Sequence, residues 1–316
     1  MNLLLEKIKK SIVVAFPKAN KTTVWILKIA IPVSLLVSLL QYFGVIAFVA
    51  PFLTPIFSHI GLPGESSIVF ITSIFLPLYA PIAISTTLSL GIREITILAV
   101  MCLISHNMIV ETAIQKKAGS NYFVMFAVRI LSSFLAAFVL NKMLPITMNG
   151  TVETTEAVQF QNIWQMLLSW GINSFWLMLK IWLIVTGLII LQSILKEFNL
   201  LDKIAKLFAP LMEVMGLSRN SAFLWFVAHV LGLTYGSAVL LNSVETNEIS
   251  LKDADLLNYH VAVNHSTFED TLLYVAIGVP AGWLIFSRFI LAILIVWIVR
   301  LVHFLFRKKK NVLLHQ

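Results

Sequence analysis

The stretch SHNMIVET at residues 105–112 decides the fold, because NHSTFEDT at residues 264–271 repeats its pattern 159 positions later. Both stretches carry a histidine, an acid and a threonine in equivalent places, and a glycine and an arginine follow each at the same offset. The matched pairs are His106 with His265, Glu111 with Asp270, Thr112 with Thr271, Gly119 with Gly278, and Arg129 with Arg288. Polar residues inside apolar sequence are not expected to coincide in this way by chance. The sequence therefore predicts two copies of one structural unit.

The composition places this repeat in a lipid bilayer. The chain has 316 residues, of which 59% are hydrophobic and only 12% are charged, whereas a soluble domain carries about 25% charged residues. The apolar residues form blocks of about 20 residues or more, for example at 25–50, 122–140 and 283–302. A helix of this length crosses the hydrocarbon core of a bilayer, which is about 30 Å thick. We therefore expect an all-α membrane protein, a helical bundle located in the cell inner membrane.

Each copy contains an apolar segment that is interrupted in its middle. Pro77 and Pro81 interrupt the segment at 66–90, and prolines break helices because they lack a backbone donor. Gly232 and Gly236 interrupt the matching segment at 220–244. The sequence predicts a broken or re-entrant hairpin in each repeat. The predicted division is a basic N-terminal segment at 1–23, repeats at 24–143 and 172–305, a connecting loop at 144–171 and a basic tail at 306–316.

The distribution of charge predicts the orientation of the two copies. Both ends of the chain are rich in Lys and Arg, whereas residues 144–162 contain neither. Since cytoplasmic segments carry the excess of positive charge, both termini should be cytoplasmic and the connecting loop extracytoplasmic. Each copy then crosses the membrane an odd number of times, which makes the copies inverted repeats, an arrangement typical of secondary transporters. The alternative is eight full spans in parallel repeats, with the prolines as simple kinks.

Several classes of function are excluded by what the sequence lacks. The net charge of +8 is not arranged as a basic stripe with interleaved aromatics, so nucleic acid is not an expected partner. Cys102 is the only cysteine, which rules out a disulfide within the chain. No motif for nucleotide hydrolysis, metalloprotease or serine hydrolase chemistry is present. We therefore expect neither an enzyme nor a cofactor, while a homo-oligomer stays open.

Ionisable and amide side chains inside the apolar blocks are the candidate site, because such residues are costly in a membrane and mark function. His265 and Glu269 are four residues apart, as are Asn107 and Glu111, so each pair would share a helix face. The predicted substrate-binding residues are His106, Asn107, Glu111, His229, Tyr235, Ser237, Asn264, His265, Glu269 and Asp270.

Three chemistries fit these residues. Imidazoles with a carboxylate suit a first-row divalent metal, and the predicted ligands are His106, His229, His265 and Glu269. Histidines at mid-depth also suit proton coupling, and amides with carboxylates could bind a nucleoside. In the structural alternative, the acids of the two copies form ion pairs with Arg129 and Arg288.

The broken hairpin, the polar span that ends in an acid and a threonine, and the following span with an arginine resemble the Gate (nucleoside-recognition) family. Concentrative nucleoside transporters, the membrane domain of the ferrous iron transporter FeoB and spore maturation membrane proteins share that domain. The resemblance implies an inverted-repeat core with gate hairpins. We expect a permease for a small hydrophilic solute, with a divalent metal such as ferrous iron ahead of a nucleoside. The alternative is a membrane assembly or scaffold protein that transports nothing.

Overall fold

A computed structural model describes residues 2–148 and 161–313 of the chain, and all regular structure within them is helical. The first half contains α1 (Asn2–Tyr42), α2 (Val45–Ser58), α3 (Ser66–Phe75), α4 (Tyr79–Ser85), α5 (Ile92–Ser105), α6 (Met108–Lys117) and α7 (Tyr122–Met143). The second half contains α8 (Ile163–Glu197), α9 (Leu200–Val214), α10 (Ala222–Leu231), α11 (Leu233–Glu245), α12 (Leu251–Val263), α13 (Thr267–Val275) and α14 (Ala281–Leu313), with a 3₁₀ turn at Arg219–Ser221 before α10. This confirms the prediction of an all-α membrane protein.

The two halves share their order of elements and the backbone conformation at their breaks. Among the described residues, seven helices follow one another in each half. Residues with a positive φ recur at matching places. They are Gly61 (74°) with Gly216 (76°), Asn107 (47°) with Ser266 (46°), and Gly119 (100°) with Gly278 (98°). The same local geometry at equivalent positions supports the two-copy organisation predicted from the sequence.

Five helical segments are long and apolar enough to cross a membrane by length and composition. They are Leu5–Tyr42, Ile92–Lys117, Tyr122–Met143, Ile163–Glu197 and Ala281–Leu305. The basic segment at 2–23 is helical and continuous with the first of them. The interrupted segments behave differently, because α3, with 10 residues, is only about 15 Å long and α10 is no longer. Each therefore reaches only about half the thickness of a bilayer core.

Both interrupted segments break where the sequence predicts. Leu76 is extended (φ −120°, ψ 156°), as the residue before a proline prefers to be, and α3 ends there. Gly232 has φ 83° and ψ 166°, a region that essentially only glycine occupies, and it separates α10 from α11.

The polar segments are broken as well, which differs from the continuous helices that the four-residue spacing assumed. Helix α5 ends at Ser105, His106 is extended, and Asn107 takes a left-handed conformation before α6 begins. Helix α12 ends at Val263, and Ser266 takes the left-handed conformation before α13. Residues on the two sides of each break therefore do not share a helix face.

The first helices of the two halves lie side by side and run antiparallel. Residues later in α1 contact residues earlier in α8, and this order fixes the relative direction of the two helices. The hydrogen bonds join Ser193 to Ser11 (3.2 Å), Trp182 to Asn20 (2.8 Å) and Trp170 to Ser34 (3.2 Å).

Helix α5 lies at the centre of the molecule. In the most apolar window of Ile92–Lys117, 72% of the residues are buried, against 17% in Ile163–Glu197. The exposed apolar side chains of α8 and α14 form the outside of the bundle, where they suit contact with lipid. The polar residues at the end of α5 are thereby held in the interior.

Candidate functional site

The broken polar segment and the broken hairpin of each half cross at their breaks. The backbone N–H of Asn107 donates to the carbonyl oxygens of Ser73 (2.7 Å) and Leu76 (3.0 Å), where α3 ends. In the second half the backbone N–H of Ser266 donates to the carbonyl oxygen of Ala228 in α10 (3.1 Å). These bonds satisfy backbone groups that a broken helix would leave unpaired inside the protein. They explain why the segments break at residues that are neither glycine nor proline.

An arginine caps each of these breaks. Arg129 donates to the carbonyl oxygens of Ile104 (2.8 Å) and His106 (2.7 Å), at the C-terminal end of α5. Arg288, at the matching position of α14, donates to the carbonyl oxygen of His265 (3.4 Å). Both arginines are fully buried. A cation at a helix C-terminus is favourable because it meets the unpaired carbonyls and the negative end of the helix dipole.

His106 and His265, one from each half, face each other across the two breaks. Their ring centroids are 5.1 Å apart, and the side chains are 6% and 1% exposed. His106 Nδ1 lies 3.2 Å from the Cys102 carbonyl, and His265 Nδ1 lies 2.8 Å from the Val261 carbonyl. A carbonyl only accepts, so each Nδ1 carries a proton, and in its neutral form each ring offers the lone pair of Nε2.

Two carboxylates complete this group, which we call the central cluster: His106, Glu111, His265 and Asp270. Glu111 lies 3.5 Å from His106 Nε2 and 3.4 Å from His265 Nε2, and its Oε2 is 2.8 Å from Arg129. Asp270 Oδ2 lies 3.7 Å from His106 Nε2 and has no hydrogen-bond partner among the described residues. Both acids are almost completely buried.

The spacing of these donor atoms fits a first-row divalent metal ion. One ligand atom each from His106, His265 and Asp270 lie within 4.8 Å of one another. Ligands bonded tetrahedrally at about 2.0–2.1 Å are about 3.4 Å apart, and two imidazoles held this way have centroids about 5 Å apart. Two neutral imidazoles and a carboxylate are ligands that zinc, ferrous iron and manganese accept. The donor chemistry therefore agrees, and the 3.7 Å between His106 Nε2 and Asp270 Oδ2 is close to this ligand separation.

The structure brings together only part of the predicted site. Of the four predicted metal ligands, His106 and His265 meet, whereas His229 and Glu269 lie elsewhere. Glu269 accepts a hydrogen bond of 2.5 Å from Tyr79 in α4. The predicted pairing on helix faces fails because the break at residues 264–266 turns α13 away from α12. The carboxylates that lie beside the two histidines are instead those of Glu111 and Asp270.

The remaining predicted residues have other surroundings. The amide oxygen of Asn264 accepts from the Thr267 hydroxyl at 3.1 Å, and Asn107 contributes the backbone bonds described above. His229 packs on Trp225 and His260 in the second half. The side chains of Tyr235 and Ser237 lie outside the described part of the structure.

The predicted ion pairs differ between the halves. Arg129 pairs with Glu111, as predicted. Arg288 instead donates to the hydroxyl of Thr271 (3.0 Å) and to the Leu284 carbonyl (3.0 Å). Among the described residues, no ion pair joins Arg288 to Asp270. Among the described residues, the carboxylate of Asp270 thus forms no direct ion pair with an arginine, unlike that of Glu111.

Two residues that the predicted site omitted have contacts of interest. Tyr79 links the hairpin of the first half to α13 of the second through Glu269, and its position between Pro77 and Pro81 was the available signal. His260 lies fully buried beside His229. A histidine in an apolar span was again the signal, but no equivalent histidine in the first half supported it.

Comparison with known proteins agrees with this architecture. The model of the Gate family, described as nucleoside recognition, matches residues 23–139. The chain is also similar to the uncharacterized membrane protein YvoD of Bacillus subtilis (strain 168), with 31% identity over 294 residues that cover 90% of this chain and 93% of that protein. No solved structure matches the chain significantly.

Proposed function

We propose a transport function for this chain, which belongs to the Gate (nucleoside recognition) family of membrane proteins. It would act as a permease that moves a small hydrophilic solute across the inner membrane without catalysing a reaction. The substrate we favour is a divalent first-row metal ion. The proposal depends on a group of imidazole and carboxylate donors that lie close together and are buried where two broken segments cross.

The arrangement of the halves supports the proposal. The first helices of the two copies run antiparallel, as expected for inverted repeats. Broken helices from two inverted repeats that meet at mid-depth are typical of secondary transporters. Both termini would then be cytoplasmic and the connection at 144–171 extracytoplasmic, in agreement with the distribution of Lys and Arg.

The charges of the central cluster favour a cation. Arg129 pairs with Glu111, and because Nδ1 of each histidine donates to a carbonyl, the Nε2 atoms are the ones that can bind a cation. The Oδ2 atom of Asp270 remains without a hydrogen-bond partner among the described residues. A buried carboxylate is costly unless it is paired or coordinates a metal. A divalent cation between Asp270 and the two Nε2 atoms would supply that partner.

Uptake into proteoliposomes tests this function. Ferrous, manganous and zinc ions should be compared with uridine and adenosine, using the wild-type chain and the His106→Asn/His265→Asn variant. Metal uptake by the variant should be at least tenfold lower than by the wild-type chain, because the variant lacks both imidazole ligands. His59→Asn is the matched control, since His59 is exposed and distant in sequence from the cluster. Metal uptake that is equal in all three proteins would contradict the proposal, and uptake of a nucleoside instead would identify the substrate as that class.

A scaffold function without transport is the second candidate, and the burial of the site favours it. Each member of the central cluster is at most 6% exposed, so the cluster is closed to solvent in this conformation. A cysteine placed at the half-buried Asn107, in a Cys102→Ser background, distinguishes the two functions. A permease should expose this position to a membrane-impermeant maleimide in at least one state of its cycle, whereas a scaffold should never do so.

A further inference from the structure

A second pair of histidines lies apart from the central cluster, between α10 and α12. His229 and His260 are 3% and 0% exposed, and their ring centroids are 5.6 Å apart with an interplanar angle of 44°. Trp225 packs on His229 with a centroid distance of 4.1 Å. The pair is therefore enclosed by protein.

The nitrogens of this pair are largely without hydrogen-bond partners. His229 Nδ1 donates to the Trp225 carbonyl at 2.8 Å, which leaves a lone pair on Nε2. Among the described residues, neither His229 Nε2 nor either ring nitrogen of His260 has a hydrogen-bond partner. Burial of an unpaired polar group costs free energy, so a helix bundle that needed only packing would gain nothing from these two rings.

The internal repeat shows that the fold does not need them. Ser73 and Ala228 occupy equivalent places at the crossings, so His229 corresponds to Ile74. His260 corresponds to Met101 at the offset of 159 that relates His265 to His106. The first half forms the same broken segments and the same crossing with these apolar residues. The imidazoles are an addition to one copy.

We propose that His229 and His260 form a second binding site for a divalent transition-metal ion. This proposal rests on the proposed function, because the ion is the same one that the central cluster would carry. Imidazole is a ligand for zinc, iron, copper and nickel. An ion held at about 2.0–2.1 Å from one nitrogen of each ring would separate the centroids by about 5–6 Å, depending on the bond angle.

The pair lies next to the central cluster along the chain. His260 is in the last turn of α12, and His265 follows the C-terminal end of that helix. No carboxylate joins the pair in a ligand group among the described residues. Two imidazoles bind a divalent ion less tightly than a ligand set that includes carboxylates. The pair would therefore hold the ion only transiently, on its way to or from the central cluster.

Counting bound ions in the purified full-length chain tests the proposal. Equilibrium dialysis against Co²⁺, followed by elemental analysis, should give two ions per wild-type chain. His229→Ile/His260→Met, which installs the residues of the first half, should bind one ion. His260→Met alone should also bind one, and it decides the test if the double variant does not fold. Ile74→Val/Met101→Leu, at the equivalent positions, is the matched control and should bind two.

The outcomes separate this site from the central one. One ion in the wild-type chain, or two ions in both His260→Met variants, would overturn the second site. His106→Asn/His265→Asn should bind one ion, and adding His260→Met to that variant should leave none. If instead the central substitutions leave both ions bound while His260→Met removes one, the second site stands and the proposed ligands of the central cluster fail.

Discussion

Replacement of Arg129 by methionine should destabilise the protein more than the same change at Arg288. Arg129 is fully buried, its Nη2 is 2.8 Å from Glu111, and it donates to two carbonyl oxygens at the end of α5. Removal of one partner of a buried ion pair costs about 3–5 kcal/mol, because the other charge is left uncompensated. Arg288 makes hydrogen bonds but no ion pair with a described acid, so its loss should cost about 1.5–3 kcal/mol.

The double variant Arg129→Met/Glu111→Gln tests the cause of that loss. If an unpaired carboxylate is responsible, the double variant should be at least about 1 kcal/mol more stable than the sum of Arg129→Met and Glu111→Gln predicts, since coupled neighbours deviate from additivity by about 0.5–3 kcal/mol. Unfolding in mixed micelles with increasing sodium dodecyl sulfate, followed by circular dichroism, measures each free energy. A double variant as unstable as the sum of its single changes would refute the ion-pair reasoning.

Three other features of the structure give measurable expectations. Tyr79→Phe removes the hydrogen bond to Glu269 that joins the two halves and should cost about 1–3 kcal/mol in the same unfolding assay; an unchanged midpoint would argue against the bond. Gly232→Ala should cost about 1–3 kcal/mol because alanine tolerates φ 83° and ψ 166° poorly, whereas Gly171→Ala in the middle of α8 should be neutral or stabilising, and equal effects would contradict this. Cys102 is fully buried, so maleimide should label it only after denaturation, and rapid labelling of the folded chain would disprove that burial.

The fold was largely predictable because the residues that break its helices are visible in the sequence. Prolines at 77 and 81 and the glycine at 232 have intrinsic backbone preferences that act wherever they occur. The breaks at Asn107 and Ser266 were not predictable in this way. Their left-handed conformation depends on bonds to carbonyls of another segment, such as Ser73 and Ala228. Tertiary contacts of this kind leave no local signal.

The candidate site was predictable in its composition but not in its pairing. His106 and His265 stood out because both copies carry them, and the structure places them in contact. The predicted metal ligand Glu269 does not lie beside the histidines, because the break removes the helix face that its spacing from His265 suggested. Contacts between copies, such as Glu111 with His265, depend on how the halves meet. One sequence carries no direct record of that arrangement.

The acids of the central cluster and the two capping arginines have a role at the helix ends that the histidines lack. Glu111 and Asp270 lie in the first turns of α6 and α13, where negative charge is favourable at the positive end of the helix dipole. Arg129 and its counterpart cap the carbonyls at the other side of each break. These charges would stabilise a duplicated fold of broken helices whether or not it transports anything. Unlike them, the Nε2 atoms of the two central histidines stabilise no helix end, so the proposal of a metal substrate depends on the imidazoles, and substitutions there are the ones that separate a permease from a scaffold.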